Sequence, residues 1–182
     1  MKKSVCVFCS ASDGLDSGYY ELAARIGRCI ANSGADLVYG GSHSGMMGAV
    51  ADGALERGAE VTGVIPDFLT GKEKAHENIT RLHVTQTMHE RQMTMGKLAD
   101  YFVILPGGLG TMAEFFEVIT WRTLGILEKP ILLVNVDDFW LSLIDMINKC
   151  GDLGFLHKDA DTIFDVAQNL EQAELKIQNW LS

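Results

Sequence analysis

No stretch of this 182-residue chain approaches the roughly 20 consecutive apolar residues that a membrane-spanning helix needs, so no span is expected. Positive charge is scarce as well. Fifteen Lys and Arg against 24 Asp and Glu leave a formal charge of −9, which argues against a polyanionic partner such as DNA or RNA. Four cysteines are too few for a disulfide framework at this size. Cys6-Val7-Phe8-Cys9 has C-x-x-C spacing, but it lies in an apolar run that reads as a strand. Residues three apart on a strand point to opposite faces, so the two thiols diverge and read as buried and reduced. The five histidines show no H-E-x-x-H or other ligand spacing, and no metal is expected. Met1-Lys2-Lys3 leads straight into an apolar run too short for a signal peptide's apolar region and cleavage site, so the expected compartment is the cytoplasm.

What the chain does have is alternation. With 47% hydrophobic and 21% charged residues it is globular in composition, and its length suits one domain spanning residues 1–182. Ser4–Ser10 is an apolar run ending in small polar residues. Tyr19–Asn32 has helical spacing, stopped by Gly34. Leu37–Tyr39 is a strand, Met46–Leu55 a helix ended by Gly58, and Val61–Ile65 a strand closed by Pro66. Asp67 to about Gln86 is weakly patterned and reads as a functional loop. Thr87–Leu98 is a helix, Tyr101–Leu105 a strand, Thr111–Leu124 a helix, Ile131–Val136 a strand, and Phe139–Lys149 and Val166–Trp180 are helices. Short, continuously apolar strands between helices predict a parallel sheet covered on both faces, hence an α/β doubly wound, Rossmann-like fold. In such sheets the ligand sits beyond the carboxyl ends of the strands.

Three strand ends carry conspicuous loops there: Cys9-Ser10-Ala11-Ser12, Gly40-Gly41-Ser42-His43-Ser44-Gly45, and Pro106-Gly107-Gly108-Leu109-Gly110-Thr111. In the last, Gly107, Gly108 and Gly110 permit positive φ and leave the backbone bare. The helix starting near Thr111 then offers unpaired N–H groups to a phosphate. Glu114 falls on that helix's first turn. Thr111-x-x-Glu114 also fits a capping box, in which the carboxylate serves the helix itself; spacing does not choose between the two roles. Gly108-x-Gly110-x-x-Ala113 weakly matches a dinucleotide fingerprint, but it comes late in the chain. The Gly40–Gly48 turn lacks the Gly-Lys-Ser/Thr ending of a P-loop, so nucleoside triphosphate chemistry is not indicated, and close helix-on-strand packing explains its glycines equally well. Met46 and Met47 read as core. Arg91, flanked by His89, Glu90 and Gln92, stands near the expected anion site.

Gly40-Gly41-Ser42-His43-Ser44-Gly45-Met46-Met47-Gly48, Met88-His89-Glu90-Arg91-Gln92 and Pro106–Glu114, in that order, are followed by F-E-V-I-T-W-R-T-L-G-I-L-E-K-P-I-L-L-V-N-V. Together they resemble the LOG family of cytokinin riboside 5′-monophosphate phosphoribohydrolases, often mislabelled lysine decarboxylases. The resemblance runs from near residue 6 to near residue 155. It implies a Rossmann-like homodimer that hydrolyses the N-glycosidic bond of adenine-type nucleotides such as AMP or a cytokinin ribotide. Arg91 and Glu114 match the catalytic pair. Gly107, Gly108, Gly110 and Thr111 match the phosphate turn. Met88, Gln92, Gly41, Ser10 and, more loosely, Glu73 are the further substrate-binding positions. Three positions depart from the family pattern: Ser42 replaces a glycine, Gln92 a lysine, and Cys9-Ser10-Ala11-Ser12 a C-G-S-S run. Losing the lysine removes a positive charge near the ligand and bears on substrate choice. No lysine sits in a pyridoxal phosphate context, and no cofactor is expected.

The chemistry this implies builds positive charge on the ribose as the base departs. Glu114 would stabilise that charge and orient water, while Arg91 would grip phosphate or ribose and hold Glu114 ionised. Two other readings stay open: a nucleotide carrier or sensor without turnover, and an NAD(P)-dependent oxidoreductase, against which Glu114 counts because a carboxylate repels a pyrophosphate.

Overall fold

The computed structural model describes residues 2–71, 74–156 and 160–182, with backbone alone at 160 and 161. In chain order it runs β1 (Ser4–Phe8), α1 (Ser17–Asn32), β2 (Asp36–Tyr39), α2 (Gly45–Glu56), β3 (Val61–Pro66), α3 (Asp67–Thr70), β4 (Arg81–Thr85) and α4 (Met88–Leu98). It continues with β5 (Tyr101–Ile104), α5 (Leu109–Thr123), β6 (Ile131–Val134), α6 (Leu141–Asp152), α7 (Ala160–Ile163), β7 (Asp165–Ala167) and α8 (Leu170–Leu181). The strands form one sheet in the order β4-β3-β2-β1-β5-β6-β7, with every neighbouring pair parallel. This is the doubly wound α/β architecture that the alternation predicts. The winding reverses at β1, so a crevice opens where the carboxyl ends of β1 and β5 part.

The pleat sorts the inner strands into two cores. Val5, Val7, Cys9, Leu37 and Tyr39 pack under α1, α2 and α8. Cys6, Phe8, Val38, Phe102 and Ile104 face the opposite way, under α4, α5 and α6. Cys6 and Cys9 therefore lie on opposite faces, both buried and free, as their spacing predicts. Helices α1 and α2 touch backbone to backbone. A Cβ on Gly27 would fall 2.2 Å from the Val50 carbonyl oxygen, and one on Gly53 would fall 2.2 Å from that of Ala24. Gly34, at φ +79°, stops α1 as expected.

Several boundaries differ from the sequence expectation. The weakly patterned stretch before α4 contains α3 and β4. Strand β4 sits at the sheet edge with Arg81–Val84 exposed, so its polar letters hide it. Val166 belongs to the short strand β7, and α8 begins only after Asn169, whose side chain accepts the Gln172 N–H at 2.9 Å. Helix α6 starts at Leu141, because Val136–Asp138 forms a tight turn first, with Asp137 and Asp138 at positive φ. Among the described residues, no helix is long and apolar enough to cross a membrane.

Candidate active site

Arg91 points inward because the start of α4 is pinned. Thr87 accepts the Glu90 N–H at 3.1 Å, and the Glu90 carboxylate accepts the Gln86 N–H at 2.9 Å, a reciprocal cap close to the capping-box pattern. One turn in, the arginine is only 4% exposed. A buried guanidinium needs partners for its donors. Its Nε donates to the Val64 carbonyl in β3 at 3.0 Å, and its Nη2 donates to the Gly40 carbonyl beyond β2, also at 3.0 Å. The remaining nitrogen, Nη1, lies 3.6 Å from Oε1 of Glu114, itself 4% exposed. A Cβ at Gly40 would sit 2.3 Å from Nη2, so a side chain there has to displace the guanidinium.

Glu114 comes from the other wing of the sheet. Helix α5 starts at Leu109 with Gly108 as its N-cap, two residues earlier than the sequence suggests. Thr111 is thus the third helical residue rather than the cap, the N-cap Gly108 makes no side-chain cap, and Glu114 sits on the second turn, not the first. The Thr111–Glu114 capping box does not form; the carboxylate goes to the arginine. Nor do the glycines of the turn use positive φ. Gly107 gives clearance, because a Cβ there would lie 2.1 Å from Thr111 Oγ1, whereas Gly108 and Gly110 face open space. The N–H groups of the first turn of α5 have no acceptor within the helix, and the helix begins at Gly108, which lines the crevice.

The opening is the crevice at the β1/β5 parting. A cavity of about 250 Å³ lies there between Ser10 and Ser12 after β1, Pro106, Gly107 and Gly108 after β5, and Tyr19, Met46 and Phe139 at its walls. Larger hollows exist, one of about 710 Å³ between α1 and α2, but none of the motif residues line it. Position at the switch point, not volume, selects the site. Ser10 is held by its own turn: its Oγ accepts the Ser12 N–H and its carbonyl accepts the Met47 N–H. Asp13 ties the same loop to α2 by accepting the Gly45 N–H at 3.0 Å.

The structure thus brings Arg91 and Glu114 together and gathers Ser10, Gly107 and Gly108 around one cavity. It does not bring every expected residue there: Gly110, buried Thr111 and the buried Arg91–Glu114 pair are not among the residues at the cavity wall. Gly41, at φ +82°, is buried against Ile65 and does not line the cavity; its role is the bend. Met88 and half-buried Gln92 lie on the first turns of α4, outside the cavity wall. Glu73 lies outside the described residues. Sequence reasoning named Gly40 as part of the turn but missed that its carbonyl carries the arginine; Glu117 lies one turn beyond Glu114 on α5. Burial pushes the Glu117 carboxyl up, opposed by the nearby His89. Burial and then the charge of Glu114 push the Cys6 and Cys9 thiols well up, so neither serves as a nucleophile. Among the described residues, no group of three or more His, Cys, Asp or Glu side chains is placed to hold a metal ion.

A family profile described as "Possible lysine decarboxylase" matches residues 47–177. The cytokinin riboside 5′-monophosphate phosphoribohydrolase of Rhodococcoides fascians is 42% identical over 178 residues, covering 97% of this chain and 90% of that protein. This chain belongs to the LOG family. Another LOG protein, the phosphoribohydrolase LOG2 of Arabidopsis thaliana, is 41% identical over 170 residues, covering 93% of this chain and 80% of its own. Among solved structures, TM1055 superposes on this LOG chain with a TM-score of 0.73 at 26% identity, covering 98% of this chain and 99% of the other. The molybdenum cofactor carrier protein of Chlamydomonas reinhardtii shares the fold at TM-score 0.76 and 21% identity, covering 100% and 99%. The Arg91–Glu114 pair, the glycine turn and the fold all lie within the span these LOG relatives share.

Proposed function

We propose that this LOG-family protein hydrolyses the base–ribose bond of an adenine-type nucleoside 5′-monophosphate, AMP or a cytokinin ribotide, releasing free base and ribose 5-phosphate. The observation that carries this reading is the buried Arg91–Glu114 pair, 3.6 Å apart, beside a helix end whose glycines leave its N–H groups bare. The first turn of α5 takes the 5′-phosphate, which explains a monophosphate preference over the bare nucleoside. Glu114, one turn further along the same helix, faces the ribose. As the C1′–N bond breaks, its electron pair leaves with the base and positive charge spreads over the sugar ring. The carboxylate stabilises that charge and orients the water whose oxygen bonds to C1′. The water gives up one proton to solvent as its oxygen bonds to C1′, and the departing nitrogen takes one up from solvent; Arg91, a permanent cation, is not the source. Arg91 instead sets the carboxylate in place. Ser10 after β1, at the wall of the crevice, adds a substrate contact.

The decarboxylase description of the profile finds no support in the site: among the described residues no lysine lines the crevice, and the ammonium of Lys129 is engaged by the carbonyls of Gly96 and Ala99. Residues 1–182 act as one domain, in the cytoplasm, with no nucleic-acid partner. The protein works as a homodimer, supported by the apolar side chains of Met88, Leu98 and Phe116, which stand exposed on α4 and α5.

The test is to incubate the full chain with AMP, GMP, CMP, UMP and a cytokinin ribotide and to score free base and ribose 5-phosphate. Release from the adenine-type monophosphates supports the reading. Binding without release from any of them leaves a carrier or sensor and removes the hydrolase.

A further inference from the structure

The segment between α3 and β4 is laced to the glycine turn after β2 by its main chain. The His43 N–H donates to the Lys74 carbonyl and the His76 N–H donates to the Gly41 carbonyl, each at 3.0 Å, with Ser42 and Ala75 bridged antiparallel between them. The Ser42 hydroxyl, fully buried, accepts the Ser44 N–H at 3.1 Å, which gives the serine at this family-glycine position a structural job. This is the turn whose Gly40 carbonyl holds Nη2 of Arg91. One side chain fastens the laced segment from its far side. His76, its ring 5% exposed, places Nε2 at 3.1 Å from Oδ1 of Asp52 on α2, while Nδ1 lies 3.2 Å from the Asn78 N–H. A backbone N–H only donates, so Nδ1 is an acceptor without a proton, and the neutral ring carries its hydrogen on Nε2, aimed at the carboxylate. Both ring nitrogens are engaged, which packing alone does not require.

We infer that His76 is a positioning residue for the hydrolase: by tying α2 to the segment before β4 it fixes the Gly40–His43 turn, and through the Gly40 carbonyl it sets the guanidinium that faces Glu114. The inference rests on the hydrolytic reading of the Arg91–Glu114 pair. His76 is not among the residues of the crevice wall, and it hydrogen-bonds to neither member of the pair. Its influence passes through two main-chain hydrogen bonds and then the Gly40 carbonyl, and the geometry it protects is tight, because displacing a catalytic group by about 1 Å costs up to ~10²-fold in rate.

The experiment compares the full chain with His76→Phe, which keeps the ring volume without its donor and acceptor, and with His76→Gln, which retains one of each. His76→Phe is expected to lower kcat for base release by about tenfold or more with KM little changed, and His76→Gln to restore most of it at the same melting temperature. Wild-type turnover in a folded His76→Phe protein overturns the inference, as does equal damage from both substitutions. Should His76→Phe fail to fold, Asp52→Ala serves instead, since that side chain is 70% exposed and its loss leaves the core intact; it is expected to slow kcat in the same direction. A second readout needs no turnover. Nitrogen NMR of the imidazole is expected to show the neutral Nε2–H form, and the Arg91 Nε–H signal to move in Asp52→Ala. A ring protonated on Nδ1, or an unmoved arginine signal, refutes the inference. If the wild-type protein releases no base from any monophosphate, the hydrolytic reading falls by itself and these two signals still decide whether His76 sets Arg91.

Discussion

Nη2 of Arg91 donates to the carbonyl of Gly40 across 3.0 Å, and it also fills the space where a side chain at Gly40 would begin. The Gly40→Ala methyl must displace the guanidinium from its seat beside Glu114. Base release is expected to drop on the order of 10²-fold in kcat/KM, with the fold retained by circular dichroism. Full activity in Gly40→Ala would show that the arginine's seat does not matter.

Glu114→Gln keeps the size of the side chain beside Arg91 and removes its charge. Calorimetric titration is expected to show nucleotide binding retained, while single-turnover hydrolysis falls by ~10²–10³. Turnover near the wild-type rate would remove Glu114 from the mechanism.

The α1–α2 contact makes a prediction about stability alone. Gly27→Ala and Gly53→Ala drive a methyl into the facing helix backbone and are each expected to cost about 1–3 kcal/mol in urea unfolding. Gly71→Ala, with open space around it and an ordinary φ of −84°, is the neutral control. Both core variants should stay active at low temperature, because neither glycine touches the crevice.

Thiol labelling of the native protein should follow burial. Cys150, half-buried, is expected to react first with a maleimide. Cys29, pushed up to about 11 mainly by burial, should follow slowly. Cys6 and Cys9 should remain unlabelled until the chain unfolds. Early modification of Cys6 would mean that the α4–α5 side of the core opens under native conditions.

Glu117 gives a pH dependence with a definite sign. Burial raises its carboxyl above the ordinary 4.5, with His89 working weakly the other way, so the folded chain takes up a proton here on folding. The cost of burying the anion is absent below 4.5, appears as pH rises through the window just above it, and is fully present beyond the folded value. The wild type should therefore lose stability relative to Glu117→Gln across that window, read as a pH series of urea midpoints. A constant difference between the two proteins would mean that the carboxyl titrates alike folded and unfolded.

The inner strands were legible because burial on both faces leaves nearly unbroken apolar runs, as in Val5–Phe8 and Ile131–Val134. The sheet edges were not. Strand β4 pairs on one side only and keeps Arg81 to Val84 in water, while β7 has just three residues. At the site, the bare glycine turn and the Arg91 and Glu114 positions can be read from letters, but the acceptors that hold the arginine are main-chain carbonyls of Gly40 and Val64, which no side chain announces. The Thr-x-x-Glu spacings at Thr87–Glu90 and Thr111–Glu114 look alike in the sequence. Of these two, Thr87–Glu90 caps a helix; at Thr111 the helix has already begun, and the Glu114 carboxylate goes to Arg91.

The guanidinium hangs from β3 and from the turn after β2, on one wing of the sheet, yet it meets a carboxylate supplied by α5 on the other. Neither half of the chain alone can assemble this contact. During refolding, activity that depends on this contact requires both wings to be in place, making enzymatic recovery a stricter clock of completed folding than a spectroscopic gain of helix or strand.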